Sequence, residues 1–245
     1  MKRNNILKIF TLFLVLNFSC KNDPLDDCFK STGKITTEDR TVTGGFSVIT
    51  VYDNVSLIFT QDSIYSISVE AGNNLLSEIT TEVNDTILIL HNNNKCNWVR
   101  KFGIPVNVYV HAPRVIKLIG RNTGSITSTN TITADVFDFE GWESNHFDLT
   151  ISCHELDCSL NLDACDAVVK GHADNCFLWT AGNGFFHNEN LTTNFTSLTT
   201  KSTGDTYINV QNVLWANILD IGNVYYTGNP TITSTITGSG QLIKN

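Results

Sequence analysis

The chain has 245 residues, 41% of them hydrophobic and only 16% charged, with a formal net charge of −8. That length buries a real core as one large domain or two small ones, and the composition excludes both a disordered chain and an integral membrane bundle. The acidic balance, with no Lys/Arg cluster after Lys8, repels nucleic acid and anionic lipid surfaces and excludes nucleic acid as a partner.

Residues 1–19 have the three parts of a secretory signal: a basic start (Lys2, Arg3, Lys8), an apolar run from Ile9 to Leu16, and a small residue, Ser19, before the cut. The apolar run is too short to span a bilayer, which takes about 20 residues. Because Ser19 directly precedes Cys20, the segment is similar to a lipoprotein signal, in which the Cys becomes the acylated N-terminus. The sequence therefore predicts a signal peptide over 1–19 and a membrane partner reached through a lipid on Cys20. Ordinary secretion with an incidental Cys20 is the alternative. Cleavage removes three basic residues and leaves 13 basic against 24 acidic, a balance of −11. Residues 20–39 read as a polar tether. Its Lys21 to Asp27 stretch resembles the export tags of Bacteroidetes surface lipoproteins.

From Thr41 to Leu118 the chain reads as successive strands. They are Phe46 to Val51, Val55 to Thr60, Ile64 to Val69, Thr86 to Leu90 and Val106 to Val110, bounded by Asn, Asp and Gly turns. Asn74 to Val83 is the one plausible helical turn. In the second half, small or turn-forming residues recur at Gly124, Asn145, Asp166, Gly184, Gly204, Gly222 and Gly240, at spacings of 21, 21, 18, 20, 18 and 18. An alternating strand follows each. A repeat of roughly 20 residues is too short for a domain and too long for one strand, and it suits one coil of a β-solenoid whose coils stack over a continuous core. A β-sandwich, with turns every 8–12 residues, is the alternative.

The tail from Gly222 through Tyr225, Tyr226, Gly228 and Pro230 to Gly238, Ser239 and Gly240 resembles the end of the auto-transporter adhesin head domain, the GIN domain. The resemblance runs from about Arg40 to Lys244. It departs in the middle coils, where Asn145 and Asp166 stand in place of Gly-x-Gly turns. It implies an all-β, single-stranded parallel β-helix over 40–245, membership among Bacteroidetes envelope proteins, and no established catalytic residues.

Six cysteines follow Cys20: Cys28, Cys96, Cys153, Cys158, Cys165 and Cys176. In an oxidising compartment this even set permits disulfides. Cys28 with Cys96 is the expected pair, and the connectivity of the rest stays open. Cys153 and Cys176 are expected as stacked neighbours. Read with His154 and His172, these cysteines match no zinc spacing, so no metal is assigned. The acidic stretch Asp135 to Asp174 lacks the Gly-Gly-x-Gly-x-Asp repeat of calcium solenoids and reads as a solvated face. No nucleophile elbow, metalloprotease helix, phosphate loop or cofactor fingerprint occurs, so no cofactor is expected.

Trp142, Trp179, Trp215, Phe185, Phe186, Tyr225 and Tyr226 are candidate surface contacts. Strand alternation lets only one of Phe185 and Phe186, and one of Tyr225 and Tyr226, face outward. The sequence thus predicts a non-catalytic outer-membrane lipoprotein of the cell envelope, an adhesin or surface ligand-binding protein for a glycan or protein. A structural envelope protein is the alternative, and a glycan-active β-helix enzyme a distant third.

Overall fold

The recurring turns mark the corners of a β-solenoid of about six turns with roughly 20-residue spacing. The structure, a computed structural model, describes residues 31–95, 106–161 and 164–245. Its strands are β1 (Ile35–Arg40), β2 (Val48–Asp53), β3 (Ser56–Gln61), β4 (Ser66–Gly72), β5 (Ile79–Asn84), β6 (Ile87–Asn92), β7 (Asn107–Ala112), β8 (Lys117–Asn122), β9 (Ser125–Gly141), β10 (His146–Leu160), β11 (Asp166–Gly182), β12 (Phe185–Ser202), β13 (Thr206–Ile218), β14 (Val224–Thr227), β15 (Thr231–Ile236) and β16 (Leu242–Lys244).

The strands form two faces. The back face stacks β1, β4, β7 and β3, then the first halves of β9 to β13, then β14 and β16. The front face stacks β5, β6, β2 and β8, then the second halves of β9 to β13, then β15. Each of β9 to β12 runs through both halves of its coil. The ladder slips where the strand rounds the bend, between Asp148 and Thr150 and between Val168 and Lys170. From β2 onward the pairing is parallel, except at the N-terminal end, where β4 pairs antiparallel to β1 and β7, and β5 to β6. Stacking order there departs from chain order, because the β2–β3 coil lies between β6–β7 and β8–β9.

Parallel, near-register pairing makes every residue share a column with its equivalents in neighbouring coils, all pointing the same way. One inward column on the back face runs Leu57, Ile126, Phe147, Ala167, Phe186, Thr206 and Val224, and all of it is buried. The last coils carry more polar residues inside: Thr193, Thr196, Thr200, Ser202 and Thr206 are buried. Some of these satisfy backbone groups. The Ser202 hydroxyl lies 2.9 Å from the Gly184 carbonyl and accepts from the Gly204 N–H at 3.0 Å.

Three expectations are corrected. The tether was expected to run to residue 39, but β1 starts at Ile35 and pairs antiparallel with β4. Its residues are almost all exposed, so backbone hydrogen bonds hold it and no apolar alternation announces it. Asn74 to Val83 is not one helical turn. Only Leu76–Glu78 forms a 3-10 turn, after which the β-branched residues Ile79, Thr80, Thr81 and Val83 extend into β5. The corner expected at Asp166 belongs to Cys165, whose carbonyl accepts from the Phe185 N–H just as the Asn145 carbonyl accepts from Asp166. Asp166 itself opens β11 and faces outward.

The corner column explains the glycines. A Cβ on Gly222 would sit 2.2 Å from the Gly204 carbonyl oxygen, and one on Gly240 would sit 2.1 Å from that of Gly222. Coil-to-coil approach leaves no room for a side chain at these corners. Gly222→Ala should therefore lower stability by about 1–3 kcal/mol, the usual cost of overpacking. Thermal or denaturant unfolding measures it, and an unchanged midpoint would show that the corner can yield.

Candidate functional site

Alternation within the columns sorts the aromatic side chains into two outward groups. Of the two pairs singled out from sequence, Phe186 is fully buried and Phe185 is 41% exposed, while Tyr226 packs on the core and Tyr225 stacks outside on Tyr207, ring centroids 4.9 Å apart. His187 continues that stack, 5.5 Å from Tyr207 and 6.4 Å from Phe185. This back-face ladder shields its rings against one another.

The front face differs. Asp157, Phe177, Ser197, Trp215 and Thr233 share one outward column, and Ser159, Trp179, Thr199, Asn217 and Thr235 share the next. Phe177 meets Phe195 edge-on at 5.8 Å, and Phe195 meets Trp215 at 5.1 Å. The row thus crosses three coils. Phe177 is 37% exposed, Trp179 38% and Trp215 53%. Single exposed apolar residues are ordinary on a soluble surface, but a contiguous row of large aromatic rings is not. Hydroxyl, amide and carboxylate groups border it on both sides.

Further along the same face, toward the N-terminal end, lies a charged cluster. The Lys117 ammonium pairs with Asp138 at 2.6 Å and with Glu140. Trp142 Nε1 donates to Glu140 Oε2 at 3.0 Å, and Arg121 lies 4.7 Å over the Trp142 ring. Burial pushes the Asp138 carboxyl up, outweighing Lys117. Burial also pushes Glu140 up, but the hydrogen bonds from Lys117 and Trp142 prevail and hold it low. Burial raises Asp157 as well, helped by the neighbouring carboxylates. Trp142 is therefore tied down beneath a cation, whereas among the described residues no cation lies over Trp179 or Trp215.

Each of the six histidines lies within 3.6 Å of an aspartate carboxylate. Asp166 faces both His146 and His187, and Asp174 faces both His154 and His172. Lys170 pairs with Asp148 at 2.9 Å. Much of the acidic stretch is thus paired within or between coils. Among the described residues, no group of three or more His, Cys, Asp and Glu side chains is arranged to hold a metal ion.

Cys153, Cys158, Cys165 and Cys176 are all buried thiols with no bond between them in this structure, and the Cys158 and Cys176 thiols meet in a hydrogen bond. The four occupy different columns. Cys153 stacks on Ala173, Cys158 on Leu178 and Leu156 on Cys176, so Cys153 and Cys176 are not opposite one another. Cys165 sits at a corner and donates to Asn145 Oδ1. Burial pushes the Cys153 and Cys165 thiols up to about 12 and Cys158 up as well. Cys20, Cys28 and Cys96 lie outside the described residues.

Sequence reasoning named Trp179 and Trp215 but missed Phe177 and Phe195, which join them into a row. The signal was present: Phe177, Phe195 and Trp215 recur at spacings of 18 and 20, close to the coil length, and Phe177 and Trp179 flank an inward Leu178.

With the fold and this face described, the relatives can be set beside them. Residues 45–230 match the family described as "Putative auto-transporter adhesin, head GIN domain". No curated protein matches the chain in sequence. Among solved structures, one described as a putative adhesin from Bacteroides fragilis aligns with a TM-score of 0.79 at 21% identity, covering 86% of this chain and 97% of that one. A putative adhesin from Parabacteroides merdae aligns at 0.67 and 14%, covering 88% and 98%. A putative lipid binding protein from Parabacteroides distasonis aligns at 0.68 and 19%, covering 88% and 98%. At these identities the likeness is one of fold.

Two measurements follow from the geometry. In unreduced native protein, Cys153, Cys158, Cys165 and Cys176 should resist alkylation and should react only after denaturation, because all four are buried away from the reagent. Peptide mapping that found two of them joined would overturn the reduced state, and Cys158 and Cys176, whose thiols meet inside the core, are the pair to inspect. The second concerns the exposed His154–Asp174 pair. The hydrogen bond to Asp174 raises His154 above 6.5, and the same contact lowers Asp174 below 3.8. The His154 contribution is complete below its unfolded value and is lost as pH rises through the raised folded value. The Asp174 contribution is present above 3.8 and is lost as pH falls through the lowered folded value. The melting difference between the parent and His154→Gln should therefore peak between about pH 4 and 6.5 and shrink on either side. A difference flat in pH would show that the pair contributes no electrostatic stability.

Proposed function

On the premise that the chain belongs to the auto-transporter adhesin head GIN domain family, we propose that it is an exported lipoprotein adhesin, anchored to the outer membrane through Cys20, which binds carbohydrate on its front face. The row Phe177, Phe195 and Trp215, with Trp179 beside it, carries this reading. Sugar rings present C–H faces that stack on exposed aromatic rings, while their hydroxyls seek donors and acceptors of the kind that Asp157, Ser197, Thr199 and Asn217 offer around the row. The rings of Phe177, Trp179 and Trp215 stand exposed on an extended face, which suits a chain or surface of repeating sugars better than a small molecule. Paired acids are available along the solenoid, but Asp138 and Glu140 are tied to Lys117. The role is accordingly binding and not catalysis.

Intact cells treated with proteinase, with a periplasmic protein as control, test the location. The protein should be digested while the control survives, and protection until the outer membrane is opened would remove the adhesin reading. Cys20→Ser should abolish labelling by a radioactive fatty acid. On a glycan panel, Trp179→Ala and Trp215→Ala should each weaken binding by about 5- to 30-fold, the range for an aromatic anchor. They should leave the melting temperature nearly unchanged, because both rings are well exposed. Equal binding by the parent and the double variant would overturn the assignment of the face.

A further inference from the structure

The coil before the aromatic row places carboxylates where the row places rings. On the front-face half of β10 the outward residues are Glu155, Asp157 and Ser159, alternating with the buried Leu156 and Cys158. Register sets them against Asn175, Phe177 and Trp179 of β11, one strand spacing of about 4.8 Å away. Phe195 follows Asn175 in its column. One coil back, Asp138 stands against Asp157, so Asp157 has a carboxylate on one side and a ring on the other. The cations of this face are engaged or lie elsewhere on it. Lys117 pairs with Asp138 and Glu140, Arg121 lies over Trp142, and Lys201 lies past the Trp179 column, two residues after Thr199. Among the described residues no hydrogen bond or ion pair reaches Asp157 or Glu155. Burial, with Asp138 and Glu155 beside it, pushes the Asp157 carboxyl up, as befits a charge without a counter-ion.

We infer that the aromatic row selects glycans carrying free, protonated amino groups, and that Asp157 and Glu155 set this preference. The inference rests on the carbohydrate reading of the same face and adds the charge of the ligand. Carboxylates by themselves are simply hydrated. Here they head a row of exposed rings, and the two features want the same group. The face of an aromatic ring attracts a cation, and a carboxylate one coil away attracts it too, so an ammonium seated over Phe177 meets both. A glycan bearing carboxylate or sulfate would meet Asp157 and Glu155 with like charge, and the chain's net charge of −8 would repel it on approach. A neutral glycan would stack on the rings and leave the carboxylates without a partner. A lysine-rich peptide would bring the charge without the C–H faces that a row of rings favours. An amino-sugar polymer brings C–H faces for the rings, hydroxyls for Ser197, Thr199 and Asn217, and repeated ammonium groups for the acidic edge.

Two oligosaccharides that differ only at nitrogen test it: a β-linked hexamer of glucosamine, and the same hexamer fully N-acetylated. Calorimetry reads their binding to the whole chain, carrying Cys20→Ser so that no acyl group drives association, in a mildly acidic, low-salt buffer that keeps the amines protonated. The parent should hold the free amine about 5- to 30-fold more tightly, the reach of an exposed cation–π contact joined to a surface ion pair. Added salt should erase most of that margin. Asp157→Asn with Glu155→Gln should bring the ratio of the two affinities close to one. The melting temperature should not fall, because the substitutions remove like charges beside Asp138. Equal binding of both hexamers by the parent, or a margin that survives in the variant, would overturn the amine preference and leave the carbohydrate reading standing. So would binding of neither hexamer by a protein that binds another glycan. Tetralysine held as tightly as the glucosamine hexamer would show capture of any cation and overturn the glycan class. Binding of no glycan at all would remove the carbohydrate reading and the inference with it.

Discussion

Everything in this molecule depends on the backbone ladder that carries one coil onto the next. Parallel pairing at about 4.8 Å between strands forces each residue into a column with a fixed direction. A side chain at a given phase of the repeat therefore faces the core, the solvent or a corner in every coil. The inward columns alone must be apolar or internally hydrogen-bonded. The corner column must be small, because the carbonyl oxygen of Gly204 stands 2.2 Å from where a Cβ on Gly222 would be. What remains free to vary is the outward phase, and it is there that any function has to be carried.

That constraint also explains what the sequence reveals. Corner residues are legible because sterics leave few choices, so the spacings of Gly184, Gly204, Gly222 and Gly240 disclose the coil directly. Cys165 was harder to recognise. It fits the corner by donating to Asn145, so the small-residue signal passes to its neighbour Asp166. β1 left no pattern at all, since an edge strand held by backbone bonds needs no apolar alternation. The inward and outward choice within Phe185–Phe186 and Tyr225–Tyr226 was legible as an alternative but not as an answer. The phase that decides it is set by register across coils, and small slips such as that between Asn188 and Thr192 blur it in the sequence. The front-face row was hidden for another reason: Phe195 lies two residues before Ser197, the partner of Phe177, and so in the neighbouring outward column, and the rings recur at 18 and 20 with no single period to line them up.

Outward columns also organise the charge. Stacking like charges every coil would be repulsive, and the chain avoids it by alternating partners along a column. His146 stacks on Asp166, and Asp148 lies beside Lys170. His154 and Asn194 reach Asp174 from the coils on either side. These contacts are exposed and individually weak. Their effect is to let an acidic chain stack its coils closely, and this is why the acidic stretch does not need a cation to be tolerated. The aromatic row lies where that lattice of pairs gives way to Ser, Thr and Asn. It sits beyond the Lys117–Asp138–Glu140 cluster and before the neutral edge of β15.

The columns link that row to the uncovered end. Thr233 lies in the column of Trp215 and Thr235 in the column of Asn217, so the strand that ends the stack is the direct continuation of the aromatic surface. A shallow, solvent-open row gives modest affinity for a single sugar chain, because much of the stacked ligand stays hydrated. A repeating ligand that meets several rings in turn gains each further contact at high effective concentration, which raises the strength of binding. The capped, charged N-terminal end stays far from this surface, and it is the end from which a chain held at Cys20 would be tethered.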